Sequence, residues 1–232
     1  MAERTDREIL NSLKGFIFDM DGTLLESMGL WDKLYADLFA EDGLTMPDGF
    51  SLAVNHLKLS DCAEYAVRNT PIRMSREEVE EFWHDRALEA YSNRVPLKPY
   101  AAKLLSLLVK HGGRIGVATA LGEDLFWPCL KQHGVAPLFW SGTSIEEVGV
   151  GKDKPDVYIR ECSKLGLRPS ECAVFEDSHI GIASAKKAGF FTVGLYDAAS
   201  AEHWDTLKYH SDLACRSLRQ AYYAFKNAYS GV

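Results

Sequence analysis

Two aspartates near the N-terminus have the spacing of a paired-carboxylate site. Asp19 and Asp21 follow the apolar residues 16–18 and are followed at once by Gly22 and Thr23. Side chains at positions i and i+2 of a strand lie on the same face, so the two carboxylates can converge if the strand persists. Glycine lets the backbone turn sharply beyond the strand. Two convergent carboxylates repel each other unless a cation lies between them, which predicts a bound metal ion.

A second pair of acids follows another apolar run. Glu176 and Asp177 come directly after residues 172–175, and a stretch rich in small residues follows them up to Gly189. An acidic pair after a strand is ordinarily part of a solvated loop. Because Asp19 and Asp21 occur in the same chain, a joint site is the favoured interpretation.

Two further segments carry polar groups that such a site would need. Thr119 and Ala120 follow the apolar run 114–118, although a threonine at the end of a strand is more often a cap or turn residue. The segment G-K-D-K-P-D-V-Y contains two lysines, Lys152 and Lys154. An ammonium group offsets the repulsion where carboxylates and phosphate oxygens crowd together, and the other lysine is expected to be solvated.

The elements that must position these residues follow from the alternation of apolar runs with helical patterns. We predict strands over residues 15–18, 114–118, 172–175 and 191–195. We predict helices over residues 99–110, 123–133, 156–165 and 180–188, the second weakened in its middle by Pro128. Strands separated by helices indicate an α/β fold with a Rossmann-like, doubly wound parallel sheet. Ligands bind beyond the carboxyl ends of such strands, where the polar residues lie.

The stretch between Trp31 and Tyr91 contains no run that indicates a buried strand. Ser75 and Glu78 have the spacing of a capping box. Helical patterns cover residues 31–40, 51–69 and 75–91. The proline-rich segment V-P-L-K-P that follows is typical of a stiff linker, which would return the chain to the sheet. We therefore predict an α/β core domain of residues 1–27 plus 96–232 and a helical cap domain of residues 28–95. Beyond residue 197 the chain is expected to be helical.

These segments resemble the motifs of the haloacid dehalogenase-like phosphohydrolases, in the helical-cap subfamily and its phosphatase and β-phosphoglucomutase branch. D-M-D-G-T, beginning at Asp19, is similar to the first motif, Thr119-Ala120 to the second, and the stretch 176–189 to the fourth. P-D-V-Y matches the second half of the family pattern K-P-x-P-D-(I/V)-(F/Y). The resemblance therefore favours Lys152 over Lys154 as the motif lysine, with Asp153 where the family has proline.

The resemblance implies a phosphomonoester hydrolase that acts on a small phosphorylated metabolite. Asp19 is then the nucleophile that accepts the phosphoryl group, and Asp21 is the general acid and base. Thr119, the backbone N–H groups around Ala120, and Lys152 hold the phosphoryl oxygens. The implied cofactor is Mg²⁺, with Asp19, the Asp21 carbonyl, Asp177 and Glu176 as ligands, Glu176 directly or through a water.

Other activities are weighed against the same residues. A haloacid dehalogenase lacks the second acid, so Asp21 argues against it. A β-phosphoglucomutase-like mutase has a histidine about twelve residues past the nucleophile and an arginine in an L-K-G-x-S-R-E-like stretch. This chain has Trp31 and L-K-L-S-D at those places, which disfavours a mutase.

A phosphonatase uses a cap lysine as a Schiff base, and Lys58 lies in that region, although a solvated lysine is the commoner case. A catalytically silent phosphoester-binding module is the alternative from a different class.

Substrate contacts are expected from the cap, where Trp31, His56 and Lys58 are the candidates beside Met28. Large apolar side chains in a first cap helix are by default packing residues, and a lone histidine is more often structural. The sequence therefore predicts the reaction and leaves the substrate open.

Composition limits the class of partner. The 232-residue chain has a formal net charge of −7, which argues against nonspecific nucleic-acid binding and against anionic membranes. Its five cysteines lack metal-ligand spacing, so neither a zinc site nor a disulfide framework is expected. The apolar stretches are too short for a bilayer, and the polar N-terminus does not resemble a signal peptide. We expect a cytoplasmic monomer.

Overall fold

The computed structural model describes residues 6–54 and 57–230 of the chain. Within these residues the strands form one six-stranded sheet in which every neighbouring pair is parallel. The strands are Gly15–Phe18 (β1), Arg114–Thr119 (β2), Phe139–Ser144 (β3), Cys172–Glu176 (β4), Phe191–Leu195 (β5) and Leu213–Cys215 (β6). Their order across the sheet is β3-β2-β1-β4-β5-β6. This arrangement confirms the predicted α/β fold with a Rossmann-like parallel sheet.

Helices connect the strands and flank the sheet. They are Asp6–Ser12 (α1), Met28–Glu41 (α2), Phe50–Val54 (α3), Leu59–Asn69 (α4), Arg76–Asn93 (α5), Ala101–Lys110 (α6), Glu123–Gln132 (α7), Ile145–Val148 (α8), Asp156–Lys164 (α9), His179–Lys187 (α10), Trp204–His210 (α11) and Leu218–Tyr229 (α12). None of the helices in the described part of the chain is both long and apolar enough to cross a lipid bilayer.

Residues of β1 alternate between two apolar layers. Phe16 and Phe18 belong to the larger cluster, which includes Phe225 of α12, and Ile17 belongs to a smaller cluster with Val157 of α9. Burial on both faces is typical of a parallel sheet covered by helices. It fixes β1, and with it the position of the residues that follow immediately.

The order of the strands reverses beside β1. The chain builds β2 and β3 on one side of β1 and then returns to place β4 on its other side. The carboxyl ends of β1 and β4 therefore border a crevice of the kind in which open α/β sheets bind ligands. Asp19 follows β1, and Glu176 is the last residue of β4. The topology thus brings the two acidic segments to the same crevice.

Five helices, α2 to α6, lie between β1 and β2, and the first four of them form a helical insert. The ring of Tyr35 packs edge-on against those of Phe50 and Trp83, with centroid separations of 5.5 and 5.2 Å. Trp83 is fully buried, and its indole N–H donates to a carbonyl of α2 at 3.1 Å. The chain leaves and re-enters the sheet domain at adjacent points, because Leu25 and Leu97 pair as an antiparallel bridge. The domain boundaries remain a prediction.

The predicted capping box is present at the start of α5. The backbone N–H of Glu78 donates to the Ser75 hydroxyl at 3.2 Å, and the backbone N–H of Ser75 donates to the Glu78 carboxylate at 2.7 Å. Each bond satisfies a donor that the first turn of a helix leaves without an intrahelical partner. The first residue of this helix could therefore be predicted from Ser75 and Glu78 alone.

The single helix predicted over residues 51–69 is wrong. The structure has two helices there, α3 and α4, and Lys58 is in an extended conformation before α4. The thiol of Cys62 donates to the Val54 carbonyl at 3.3 Å, so α4 packs back against the end of α3. One continuous helix does not allow that contact, because eight residues rise about 12 Å along its axis.

Two strands were missed, and one helix is more regular than predicted. The side chains of Ser141 and Thr143 in β3 donate to the buried Glu161 of α9, the latter at 2.7 Å, so this strand lacks the apolar run that marks the others. The strand β6 has three residues and lies in the tail that was predicted to be helical. The helix α7 runs through Pro128, whose ring removes one donor without ending the helix.

Candidate active site

The turn after β1 holds the first acidic pair in place. The backbone N–H of Asp19 donates to the carbonyl of Phe175 at 3.0 Å, which extends the pairing with β4 beyond the end of the strand. Gly22 has a φ of +73°, and a Cβ at this position would overlap the carboxylate of Asp177. The hydroxyl of Thr23 donates to that same carboxylate at 3.1 Å. Glycine is required here because both the backbone conformation and the close approach exclude a larger residue.

Three carboxylates meet in the crevice. Asp19, Glu176 and Asp177 each present an oxygen, and these oxygens lie within 4.8 Å of one another. The residues are only 5%, 1% and 8% exposed. Burial and the charge of Glu176 raise the pKa of Asp19 well above its usual value, and the same causes raise the pKa of Asp177 to about 8. Such crowding of acids fits a divalent cation, which stabilises their ionised forms.

Lys152 is the lysine that the structure brings into this cluster. Its ammonium contacts the carboxylate of Asp19 and lies 2.8 Å from Glu176 Oε2, whereas Lys154 is exposed. Burial by itself lowers the pKa of Lys152, but the charges of Asp19 and Glu176 outweigh burial and raise it above the ordinary lysine value. The hydroxyl of Ser184 in α10 donates to the Lys152 carbonyl at 2.6 Å and anchors this loop.

The remaining residues predicted from strand ends are at the same crevice. Thr119 ends β2 and is buried, and its hydroxyl oxygen accepts a hydrogen bond from the N–H of Leu121 at 3.2 Å. Thr119 and Ala120 line the cavity that also contains Asp19 and Lys152. The strand-end threonine is therefore placed where it can contact a ligand, and it also stabilises its own turn.

Asp21 lies beside the nucleophile candidate but faces the helical insert. Its Oδ1 accepts hydrogen bonds from Ser27 at 2.6 Å and from the hydroxyl of Tyr91 at 2.5 Å. The indole N–H of Trp31 donates to the Tyr91 oxygen at 2.9 Å. Burial raises the pKa of Asp21, although the hydrogen bonds from Ser27 and Tyr91 partly oppose that shift. The carboxylate of Asp21 lies outside the three-carboxylate cluster.

Three residues of this site were missed from the sequence. Tyr91 is seventy positions from Asp21, and nothing local marks it, because its role depends on how α5 docks. Lys98 forms an ion pair with the buried Asp197 and also contacts the Gly22 carbonyl. Asp197 could have been found by the strand-end rule, since it follows β5 by two residues.

A cavity of about 410 Å³ opens from the acidic cluster to the helical insert. Met28 and Trp31 of α2 line it, and their role as substrate contacts stays a prediction. Lys58 is half-buried at the start of α4 and is not among the described residues that line this cavity. His56 lies outside the described residues. The Schiff-base alternative therefore lacks a cavity-facing Lys58 to support it.

Comparison with known proteins decides the family. The model of the haloacid dehalogenase-like hydrolases matches residues 13–189, which spans β1 to the end of the small-residue helix α10. The chain belongs to the haloacid dehalogenase-like hydrolases. The match includes Asp19, Thr119, Lys152, Glu176 and Asp177, and Asp197 lies beyond it. Family membership and the geometry of the acidic cluster therefore concern the same part of the chain.

Two curated members of the haloacid dehalogenase-like family illustrate the relationship. Hexitol phosphatase B of Escherichia coli (strain K12) is 30% identical over 190 residues, covering 79% of this chain and 82% of that protein. A probable pseudouridine-5′-phosphatase of Drosophila melanogaster is 29% identical over 197 residues, covering 82% and 84%. Family membership and these phosphatase relatives together support a phosphatase enzyme.

A solved structure agrees with the fold of this haloacid dehalogenase-like hydrolase. A variant of CbbY from Rhodobacter sphaeroides, in complex with xylulose-(1,5)bisphosphate, superposes with a TM-score of 0.77. The two sequences are 19% identical, and the match covers 89% of this chain and 95% of that chain. At this identity the similarity supports the architecture of the sheet and its inserted helices.

Proposed function

We propose that this chain is a Mg²⁺-dependent phosphatase that hydrolyses a small phosphorylated metabolite through an aspartyl-phosphate on Asp19. The observation that carries the proposal is the buried cluster in which Lys152 contacts both Asp19 and Glu176 at the switch point of the sheet. The phosphatase relatives, named for a hexitol and a pseudouridine phosphate, support a small phosphorylated substrate. The monomeric state and the cytoplasmic location stay predictions.

The donor set suits magnesium. Asp19, Glu176 and Asp177 supply carboxylate oxygens, and the Asp21 carbonyl is the further ligand that we propose. When bound, the ion neutralises charge on the phosphoryl oxygens and on the crowded carboxylates. Tyr158 donates to Glu176 Oε2 at 2.9 Å and Lys152 to the same atom at 2.8 Å, which fixes the orientation of this acid.

In the first step a carboxylate oxygen of Asp19 attacks phosphorus, and the bond from phosphorus to the leaving alcohol breaks. Asp21 donates its proton to the leaving oxygen, and its raised pKa favours the protonated form that this requires. Lys152 and Thr119 hold the phosphoryl oxygens as charge shifts between them.

In the second step a water molecule attacks phosphorus, and the bond from phosphorus to Asp19 breaks. Asp21 is now a carboxylate and accepts the proton of that water, so it returns to its starting form. Inorganic phosphate leaves, and Asp19 is again a free carboxylate. The helical insert covers the leaving-group side of the cavity and excludes other water.

Hydrolysis of p-nitrophenyl phosphate and of a panel of sugar, hexitol, nucleotide and glycerol phosphates tests this function. We expect phosphate release with added Mg²⁺ and its loss with a chelator, restored by excess Mg²⁺. Metal-independent release at the same rate would contradict the proposed cofactor, and no release from any of these esters would contradict the proposed activity.

We expect Tyr91→Phe to lower kcat by about 10-fold or more, because the Tyr91 hydroxyl orients Asp21 in both steps. In the second step Asp21 is a carboxylate, and a hydrogen bond to a charged group contributes about 1.5–3 kcal/mol. The loss should be larger for alkyl phosphates than for p-nitrophenyl phosphate, since a poor leaving group depends more on a correctly held Asp21. Steady-state kinetics with both esters measure it. Tyr65→Phe is the matched control, because that tyrosine belongs to the aromatic cluster of the insert and does not line the cavity. Equal losses for both esters would show that Tyr91 does not act through Asp21.

A further inference from the structure

The cavity contains a second set of charged groups that the proposed chemistry does not use. Asp124 in the first turn of α7 and Glu146 of α8 both line it, and His84 of α5 contacts the Asp124 carboxylate. A Cβ built on Gly122 would overlap Asp124 Oδ1 and lie 3.6 Å from Glu146 Oε2. Both carboxylates therefore lie beside Gly122, in the loop that begins at Thr119.

The charge around these two acids is negative. Burial raises the pKa of Glu146, and the charges of Asp124 and Glu80 raise it further, against the opposing charges of Lys58 and His84. Three acids thus face one lysine and one histidine. The hydrogen bond with Asp124 raises the pKa of His84, so the acids exceed the bases here by one. A group that enters this part of the cavity meets a field that favours hydrogen-bond donors and cations.

The described lining of the cavity has a single lysine with which to hold an anionic group. Among the described residues that line it, Lys152 is the single lysine, and there is no arginine. Lys152 is already held by Asp19 and Glu176. The nearby Lys98 is paired with Asp197. A phosphoryl group therefore has one lysine partner here. An additional anionic group on the substrate finds no further lysine or arginine in the described lining, whose other basic side chains are His84, His179 and His203.

One wall of the cavity is apolar. The apolar residues that line it are Met28 and Trp31 of α2, Leu52 of α3, Leu57, and Leu59 at the start of α4. Leu52 is 69% exposed, which is unusual for a large apolar side chain. An apolar face of a bound leaving group would cover this leucine and remove it from water.

We propose that this enzyme selects phosphomonoesters whose leaving group is uncharged or cationic, with an apolar face, and that Asp124 and Glu146 reject substrates carrying a second anionic group. The proposal rests on the phosphatase function proposed above and names its substrate class. Hydroxyl or ammonium donors of the leaving group bind the two carboxylates. A carboxylate or second phosphate at the same place is repelled, and a like charge roughly 10 Å away near a protein surface reduces binding about 10-fold.

Three matched esters test the selection: 2-phenylethyl phosphate and its 4-carboxy and 4-aminomethyl derivatives. Their substituents are remote from the ester oxygen, so the leaving tendency is nearly constant while the charge changes. We expect kcat/KM for the neutral and aminomethyl esters to exceed that for the carboxy ester by at least about 10-fold. The double variant Asp124→Asn/Glu146→Gln should reduce that ratio about 10-fold, and Glu146→Lys alone should reduce it in the same direction.

Glu123→Gln is the matched control, because Glu123 is an exposed acid next to Asp124 that does not line the cavity. In this variant, the ratio of kcat/KM for the neutral ester to kcat/KM for the carboxy ester should equal that of the unaltered protein. Efficient hydrolysis of the carboxy ester, or an unchanged ratio in both the double variant and Glu146→Lys, would overturn the selection while leaving the phosphatase function intact. No hydrolysis of any of the three esters or of p-nitrophenyl phosphate would overturn the phosphatase function, and the selection with it.

Discussion

Asp19→Asn is expected to abolish turnover, lowering kcat by at least about 10⁴-fold, the order of loss when a covalent nucleophile is removed. The amide is close in size to the carboxylate, but it is a poor nucleophile and a weaker metal ligand. It also withdraws the negative charge that the Lys152 ammonium contacts. Both the chemical step and the assembly of the cluster therefore depend on this one charge.

Steady-state assays with p-nitrophenyl phosphate measure the loss, and thermal unfolding shows that the variant is folded. Asp48→Asn makes the same chemical change on an exposed residue of the helical insert and should keep full activity. Activity of Asp19→Asn within tenfold of the unaltered protein would contradict the assignment of Asp19 as the nucleophile.

Asp21→Asn has the second largest expected effect, a loss of about 10²- to 10⁴-fold in kcat, as for removal of a general acid and base. An amide cannot donate a proton to the leaving alcohol and cannot accept one from the attacking water. It also loses the charge that Ser27 and Tyr91 hold with their hydrogen bonds. The loss should be larger than that for Tyr91→Phe, which leaves the carboxylate in place.

The two steps respond differently to this variant. p-Nitrophenolate leaves readily without a proton, so the first step survives, whereas hydrolysis of the phosphorylated enzyme still needs the base. We therefore expect the variant to accumulate one phosphoryl group per chain, located on Asp19 by mass spectrometry of peptides after acid quench. A variant that turns over alkyl phosphates at the rate of the unaltered protein would contradict the role of Asp21.

The predicted site residues that the structure brings together share one property, which is that each is adjacent to an element with a clear local signature. Asp19 and Glu176 lie at the ends of fully buried strands, and Lys152 lies just before a helix whose first residues match a family pattern. Pattern and topology together were enough to predict that they meet, because parallel strands have their carboxyl ends at one edge of the sheet.

What the sequence did not predict depends on tertiary contacts. Tyr91 contacts Asp21 only because α5 docks beside α2. No sequence pattern predicts this contact, because the two residues are far apart along the chain. The strand β3 is polar because the buried carboxylate of Glu161 accepts its hydroxyl groups, and an apolar pattern was the signal used for strands. The separate helices α3 and α4 likewise contact each other, through the thiol of Cys62 and the carbonyl of Val54. For Tyr91 and β3 the partner is distant along the chain, and for α4 it lies eight residues away.

The stereochemical course at phosphorus tests the central claim most directly. A phosphorothioate monoester made chiral with oxygen isotopes is hydrolysed in water that carries a third isotope, and the configuration of the product thiophosphate is determined. Each in-line displacement inverts phosphorus, so transfer to Asp19 followed by transfer to water predicts net retention. Net inversion would mean that water attacks the substrate directly, and it would contradict the aspartyl-phosphate on Asp19.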